Sequence, residues 1–184
     1  MKTINKNIIA IDALQGALSA ENIKELEECV VGKDICIETY SHSPRYMNGI
    51  EDLYAQIQVI CSQELILAIF TGVLGSGIYD VLKTFLCKLY SKMKGQHITK
   101  IQSNKIEKVE PKIHFVIGDI KVVLPLDIDD EKYKYFVDKM FESMRDERIT
   151  KKEFCTWNKD TGEVEYYSYT EILSKVYSEG VKSR

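Results

Sequence analysis

Proline is scarce in this chain, and the sequence contains no low-complexity segment. There are 3 prolines and 10 glycines among 184 residues, while 45% of the residues are hydrophobic. Disordered chains have the opposite balance, because they lack the apolar surface that would offset the entropy lost on folding. The composition therefore excludes disorder over most of the length. It favours a core domain at 1–150, with a C-terminal hairpin and helix at 151–184 packed on the same domain.

The cysteines are odd in number and contain no C-x-x-C pair, so the sequence lacks a disulfide framework and a zinc motif. Five are scattered along the chain: Cys29, Cys36, Cys61, Cys87 and Cys155. The N-terminal segment, Met1–Gly16, has too few consecutive apolar residues for a secretory signal. We therefore expect a cytoplasmic protein with reduced thiols.

Motifs for catalysis and metal binding are also missing. His42, His97 and His114 are far apart in sequence, and none stands at ligand spacing from a cysteine or a carboxylate. No G-x-S-x-G nucleophile motif is present. We therefore predict no catalytic residue, no metal ligand and no cofactor, and the sequence favours a non-enzyme.

An excess of positive charge is absent from the chain as a whole, whose net charge is −3. This balance argues against nucleic acid as the partner. Between Val81 and Lys112, however, eight lysines face only two glutamates. We expect a basic surface at Lys83, Lys88, Lys92 and Lys94. It is either a solvated helix face or a patch for phosphate-bearing lipid or nucleic acid.

One apolar stretch, Leu65–Met93, dominates the sequence. Its first half is uncharged and contains Gly72, Gly75 and Gly77. Its second half repeats apolar residues at helical spacing, which predicts an amphipathic helix. The residues of that stripe are Ile78, Val81, Leu82, Phe85, Leu86, Leu89, Tyr90 and Met93.

The remaining patterns predict an α+β fold, in which antiparallel hairpins pack against amphipathic helices. Strands are expected at Asn7–Asp12, Asp34–Ser41, His97–Ser103, Ile106–Val109, Lys112–Ile117, Ile120–Leu124, Phe154–Trp157 and Glu163–Tyr169. Helices are expected at Ala20–Val31 after the Ser19 cap, from Asp129 to Arg148, and at Ile172–Tyr177 after Thr170. We also expect Ile50–Met93 to form a long helix or helical hairpin that is interrupted near the glycines.

The glycine cluster has two interpretations. Small residues allow close backbone contact, so Gly72, Gly75, Ser76 and Gly77, with Phe85 and Leu89 on the following helix, are candidates for partner or self contact. If Leu65–Phe70 were a strand, the same residues would form a glycine loop between strand and helix that could hold a phosphate. The Walker lysine and the third dinucleotide glycine are both missing, which favours packing.

A simple membrane span is not expected from Leu65–Tyr79, because fifteen residues reach about 22 Å and the hydrocarbon core is about 30 Å thick. A buried core helix is the favoured interpretation. The alternative is an interfacial anchor at 65–93, whose lysines would meet anionic headgroups at a membrane surface.

The C-terminal part is rich in aromatic residues. Neighbouring strand residues point to opposite sides, so Tyr166 and Tyr167 cannot both face the core. With Trp157, they are candidates for an aromatic contact with a partner. Cross-strand packing within the fold is the other use of these side chains.

The order of elements resembles the effector-associated constant component domains of bacterial conflict systems. The matching features are the strand Ile35–Tyr40, the stripe Leu82, Leu86 and Leu89 within Ile78–Met93, the turn Gly118-Asp119, and the helix Asp129–Met144. The resemblance implies a non-enzymatic companion module beside an effector or sensor in anti-phage defence, with no catalytic residues. This chain adds the helix Ala20–Val31 and an extension after Arg148.

Taken together, these features predict a non-catalytic protein-interaction or oligomerisation module, as a companion of a bacterial defence effector. A protein partner or self-association is expected. The two alternatives are a peripheral membrane effector that uses residues 65–93, and a small nucleotide-binding protein that uses the 71–77 loop.

Overall fold

A computed structural model describes residues 7–43, 56–71, 77–102, 105–144 and 152–174. The strands in these ranges are β1 (Asn7–Leu14), β2 (Ile35–His42), β3 (Ile57–Cys61), β4 (Ile98–Gln102), β5 (Lys105–Val109), β6 (Ile113–Ile117), β7 (Ile120–Val123), β8 (Phe154–Asn158) and β9 (Glu163–Tyr167). The helices are α1 (Ala20–Glu28), α2 (Gln63–Thr71), α3 (Gly77–Met93) and α4 (Asp130–Ser143), and residues 169–174 are also helical. The α+β class is confirmed.

Seven strands form one mixed sheet in the order β2-β1-β3-β6-β7-β8-β9. The β6–β7 and β8–β9 pairs are antiparallel hairpins, as predicted. The β1–β3 pair is also antiparallel, but it joins strands that are not consecutive in sequence and was not predicted. Three other pairs are parallel: β1–β2, β3–β6 and β7–β8. The hairpin prediction therefore described only part of the sheet, because it considered strands that are adjacent in sequence.

The helices α1, α3 and α4 supply the buried layer over one face of the sheet. Along β1, Ile9 and Ile11 point into this layer and are buried, whereas the alternate side chains are half-buried on the opposite face. This alternation follows from the two-residue period of a strand. We call the side away from the helices the open face.

Helix α3 lies between α1 and α4. Its predicted stripe is confirmed, because all eight apolar residues are buried in the core. Tyr90 stacks on Tyr133 of α4 with ring centroids 3.9 Å apart, and Tyr79 meets Phe141 edge-on at 5.3 Å. The N-terminal end of α3 therefore lies beside the C-terminal end of α4, and the two helices are antiparallel.

The C-terminal region extends the same sheet. Strand β8 pairs with β7 through Phe154 and Cys155. The helical segment 169–174 begins with a capping box, since Ser168 N–H donates to the Glu171 carboxylate at 2.6 Å and Glu171 N–H donates to Ser168 Oγ at 3.4 Å. The cap is therefore Ser168, and the prediction that Thr170 caps this helix was wrong.

The prediction of helix through Ile50–Ser62 was wrong for Ile57–Cys61, which is β3. Residues 50–55 lie outside the described ranges. Leu65–Phe70 is helical, as predicted, within α2. The helical region therefore begins at Gln63, and α2 and α3 are separated by residues 72–76, which are also outside the described ranges.

Strands β4 and β5 form a separate two-stranded ribbon between α3 and β6. Their register joins Ile98 to Val109 and Gln102 to Lys105. Ile106 on this ribbon is 74% exposed, so the ribbon covers little of its own apolar surface. Both predicted weak strands are thus confirmed.

Candidate functional site

Strand β2 is one of the two end strands of the seven-stranded sheet. It pairs with β1 over eight consecutive residues, from Asn7↔Ile35 to Leu14↔His42. Its outer side is not paired with any strand of the described ranges. Tyr40 is 55% exposed, and Cys36, Thr39 and Ser41 are exposed as well.

The hydrogen bonds of β1 show which way the β2 backbone points. Leu14 N–H donates to Gln56 C=O at 2.8 Å, and Ile8 C=O accepts from Ser62 N–H at 2.9 Å, so these even-numbered residues of β1 bond on the β3 side. Gln15 N–H donates to His42 C=O at 2.9 Å, on the β2 side. Backbone groups of successive strand residues alternate in direction. Odd-numbered residues of β1 therefore bond to even-numbered residues of β2.

The odd-numbered residues of β2 then direct their N–H and C=O groups away from the sheet. These residues are Ile35, Ile37, Thr39 and Ser41. The one contact to these groups within the described ranges is weak: the Cys36 thiol lies 3.8 Å from Ile37 C=O. This row is a ready-made template for another extended chain.

Strand β2 also lacks the usual features that protect an edge. Its sequence contains neither proline nor lysine, and its unbroken register excludes a bulge. The other edge, β9, is only five residues long and carries Glu163 and Glu165. A long and nearly uncharged edge is therefore present at β2 and not at β9.

A polar row crosses the open face next to this edge. Consecutive strand partners place Tyr40, Asp12, Gln58 and His114 side by side on β2, β1, β3 and β6. His42 Nδ1 lies 2.8 Å from Asp12 Oδ1, and both side chains are partly exposed. Tyr40 O–H donates to Glu38 Oε2 at 2.7 Å. The side chains beside the β2 backbone are therefore already fixed by hydrogen bonds.

His114 lies at the buried end of the row. Burial lowers its pKa to about 4, and the nearby Lys121 and Lys112 act in the same direction. The ring is therefore neutral near pH 7. No group of three or more His, Cys, Asp and Glu side chains within the described ranges is arranged to hold a metal ion.

The four lysines predicted as a basic surface are each placed beside acidic groups. Lys83 Nζ is 2.8 Å from Asp138 Oδ2, and Lys94 Nζ is 2.8 Å from Asp130 Oδ1, both on α4. On α1, Glu25 binds Lys92 at 2.6 Å and its main-chain oxygen accepts from Lys88 at 2.9 Å. These lysines join α3 to its neighbours, so they do not form an unopposed positive surface.

The carboxylates that pair with these lysines, on α4 and on α1, have lowered pKa values. Burial opposes ionisation of Asp138, but the hydrogen bonds from Lys83 and Tyr79 outweigh it and lower the pKa of that carboxyl. The hydrogen bond from Lys92 lowers the pKa of Glu25.

An open depression of about 470 Å³ at the start of α4 is lined by Lys94, Asp129, Asp130, Glu131 and Lys132. Its ion pairs Lys94–Asp130 and Lys132–Asp129 already match opposite charges.

The residues predicted for partner or self contact on α3 are placed in the core. Phe85 and Leu89 are fully buried, so they have no surface to offer to a partner. Gly77 is the first residue of α3, and a side chain added there would meet no atom within 4 Å. Gly72, Gly75 and Ser76 lie outside the described residues.

The three predicted aromatic residues are divided between the two faces. Trp157 packs edge-on against Phe136 at 6.0 Å, on the helix side. Tyr166 lies on the same side, where its hydroxyl meets Ser143 Oγ at 2.5 Å, and burial raises its pKa. Tyr167 lies on the open face and hydrogen-bonds to Glu165. The first two contacts join the strands to α4 and the third lies within β9, so all three are contacts within the fold.

The buried thiols are unsuited to nucleophilic chemistry. Burial raises the pKa of Cys61 and of Cys155 to about 12, so both are protonated near neutral pH.

In the ranges that the structure describes, no helix has both the length and the apolar character needed to cross a bilayer.

Sequence reasoning missed the edge and the polar row. Both depend on which strands are neighbours, and β1 lies between β2 and β3 although α1 separates β1 from β2 in sequence. A signal for the row was present: Asp12, Gln58 and His114 each stand at an outward position of a strand that is otherwise largely apolar. A lone polar residue in such a strand marks the face that is not the core.

The fold and this edge define the class: an α+β protein in which α1, α3 and α4 lie on one side of a mixed sheet and β2 is an eight-residue edge strand that no described strand pairs with on its outer side. Comparison with known proteins found no matching family model, no matching curated protein and no matching solved structure.

Proposed function

We propose that this chain is a non-catalytic protein-interaction module that binds an extended segment of a protein along the outer edge of β2. The observation that carries the proposal is the row of outward backbone groups from Ile35 to Ser41, unpaired by any described strand. Such an edge binds another chain by adding a strand to the sheet.

Main-chain hydrogen bonds supply affinity in this mode of binding, and side chains supply specificity. Each net hydrogen bond contributes about 0.5–1.5 kcal/mol, so the edge gives useful affinity only when several form together. An added strand meets Ile37 and Thr39 on the helix side, and Cys36, Glu38 and Tyr40 on the open face. The hydrogen bond between Tyr40 and Glu38 holds these two side chains in place before binding.

The described helices give less support to the two alternative functions. The membrane hypothesis needs an exposed apolar face on 65–93, but the α3 stripe is buried, and Leu67 is the exposed large apolar side chain that the described residues of this segment offer. The nucleotide hypothesis needs a strand before the glycine loop, but α2 precedes it. The resemblance to effector-associated constant component domains supplies the biological setting of our proposal, a companion of a defence effector.

The test is a selection of binding peptides on the full chain. Random peptides are displayed and selected, and the best binders are titrated against the wild type, Thr39→Pro and Thr39→Val. Proline at position 39 removes an outward N–H and leaves the bonds to β1 intact, because those bonds belong to even-numbered residues. Valine removes the same hydroxyl but keeps the N–H.

We expect Thr39→Pro to weaken the selected peptides by about tenfold or more, which corresponds to about 1.4 kcal/mol. Thr39→Val should bind within about twofold of the wild type. If the enriched peptides bind Thr39→Pro as tightly as the wild type, or if no peptide is enriched on a chain that is monomeric in solution, strand addition at this edge is ruled out.

A further inference from the structure

We infer that the strand which occupies this edge is the β2 of a second copy of the chain, paired antiparallel about a twofold axis at Thr39. The inference rests on the proposed function and names the partner of the same edge. It would join two seven-stranded sheets into one and leave neither β2 edge open.

Antiparallel pairing is the first constraint. A twofold axis perpendicular to the sheet brings two identical edges together in opposite directions, and antiparallel ladders are slightly more stable per residue than parallel ones. The outward residues of one strand must then face the outward residues of the other. Only registers that match odd-numbered with odd-numbered residues satisfy this condition.

Charge selects between the two registers that overlap the strand best. In one, Ile37 is opposite the partner's Thr39, which places Glu38 directly opposite the partner's Glu38. Like charges facing each other across a ladder are destabilising. In the other, Thr39 is opposite the partner's Thr39, so Glu38 faces the partner's Tyr40 and Cys36 faces the partner's His42.

The second register is complementary to itself. Glu38 is an acceptor and Tyr40 is a donor, as their hydrogen bond within one strand already shows. The twofold axis places this donor and acceptor opposite each other twice. A Thr–Thr pair at the centre is a favourable cross-strand pair. The neighbouring hydrogen bond of His42 with Asp12 directs that imidazole towards β1, so it does not block the edge.

The register is tested by disulfide trapping of the full chain. Cys36 is exposed, and position 42 of the other copy would be its non-hydrogen-bonded partner, where Cα atoms are about 4.5 Å apart. That separation lies within the range of a disulfide. His42→Cys oxidised with diamide should therefore give a covalent dimer, in which two thiols lose their hydrogens to diamide. Adding Cys36→Ser should abolish it.

Tyr40→Cys is the matched control, because it would cross-link to Cys36 only in the Glu38-centred register. Light scattering on the wild type should show a dimer, and Thr39→Pro should raise its dissociation constant by about tenfold or more. A monomeric wild type, or cross-linking of Tyr40→Cys and not of His42→Cys, overturns the inference. The selected peptides distinguish failure of the proposed function from failure of this inference. If the wild type is monomeric but peptide binding still depends on the Thr39 N–H, strand addition at β2 is supported and only self-pairing is ruled out.

Discussion

Single polar residues distinguish the open face of the sheet from the apolar face that packs against the helices. Asp12, Gln58 and His114 follow one another across three strands, each between apolar neighbours. Asp12 is partly exposed and bonds to His42, whereas His114 is only 2% exposed. Along this row, the environment of the polar side chains therefore changes from a partly exposed hydrogen bond at Asp12 to a buried neutral ring at His114.

The buried imidazole of His114 makes stability depend on pH. Its pKa falls from 6.5 to about 4 on folding, so the unfolded chain binds more protons between these values. Stability is therefore complete above pH 6.5 and is lost as the pH falls towards 4. Between pH 7 and pH 5 we expect a loss of about 2 kcal/mol from this group, measured by urea unfolding.

The control for this prediction is His114→Gln, which removes the titrating ring but keeps a polar side chain. The rest of the sequence is identical in both proteins, so the difference between them isolates His114. The variant should lose less stability than the wild type between the two pH values. Equal losses would contradict a neutral buried His114.

At the scale of one element, β2 has two kinds of backbone position, and proline distinguishes them. Glu38→Pro removes an N–H that bonds to β1, and we expect it to lower the free energy of unfolding by about 1–3 kcal/mol. Thr39→Pro removes an outward N–H, and the expected loss is under about 1 kcal/mol. Urea unfolding of each variant at a protein concentration where the chain is monomeric, relative to alanine at the same position, measures the difference.

Equal losses at the two positions would mean that the alternation of the β2 backbone is assigned incorrectly. A larger loss at Thr39 than at Glu38 would place the outward groups on the even-numbered residues. Either outcome would remove the structural basis of the edge.

Elements with one strong local pattern could be predicted from the sequence. The apolar spacing from Ile78 to Met93 is compatible with a helix and not with a strand, and these residues lie in α3. Ser19 and Asp129 cap α1 and α4 as expected, since each side chain accepts a hydrogen bond from the first helical turn. Gly118-Asp119 joins β6 to β7, and Gly118 has a φ of 59°, which glycine adopts without strain.

Elements with two compatible patterns could not be predicted. Ile57, Ile60 and Cys61 fit helical spacing, while Ile57, Val59 and Cys61 fit a strand. The second pattern is realised because β1 and β6 provide pairing on both sides of β3. The β2 edge could not be predicted for a similar reason: it is a property of strand order, and no local feature of ICIETYSH places this strand at the end of the sheet.

At the scale of the whole molecule, the C-terminal strands complete the sheet and the core. Cys155 is fully buried, and Trp157 packs against Phe136 of α4. Tyr166 joins Ser143 at the end of α4. Residues 152–174 therefore contribute to the same core as the strands that precede them.

Removal of residues 152–184 should consequently destabilise the rest of the chain. The truncated chain would expose Val122 and Phe136, which are now buried. We expect loss of a cooperative thermal transition by circular dichroism, because large apolar side chains lose about 3–5 kcal/mol each when their core packing is removed. A truncated chain that unfolds at the same midpoint as the full chain would show that this region is an appendage.

The whole account depends on the outer edge of β2 being the surface that another strand covers. Amide hydrogen exchange of the full chain, free and bound to a selected peptide, tests this most directly. The amides of Ile37, Thr39 and Ser41 should exchange fast at protein concentrations well below the dissociation constant of the dimer and become protected when a peptide or a second copy binds, while Glu38 and Tyr40 stay protected throughout. Protection that appears on the β4–β5 ribbon or the helices, with the three outward amides unchanged, would contradict it.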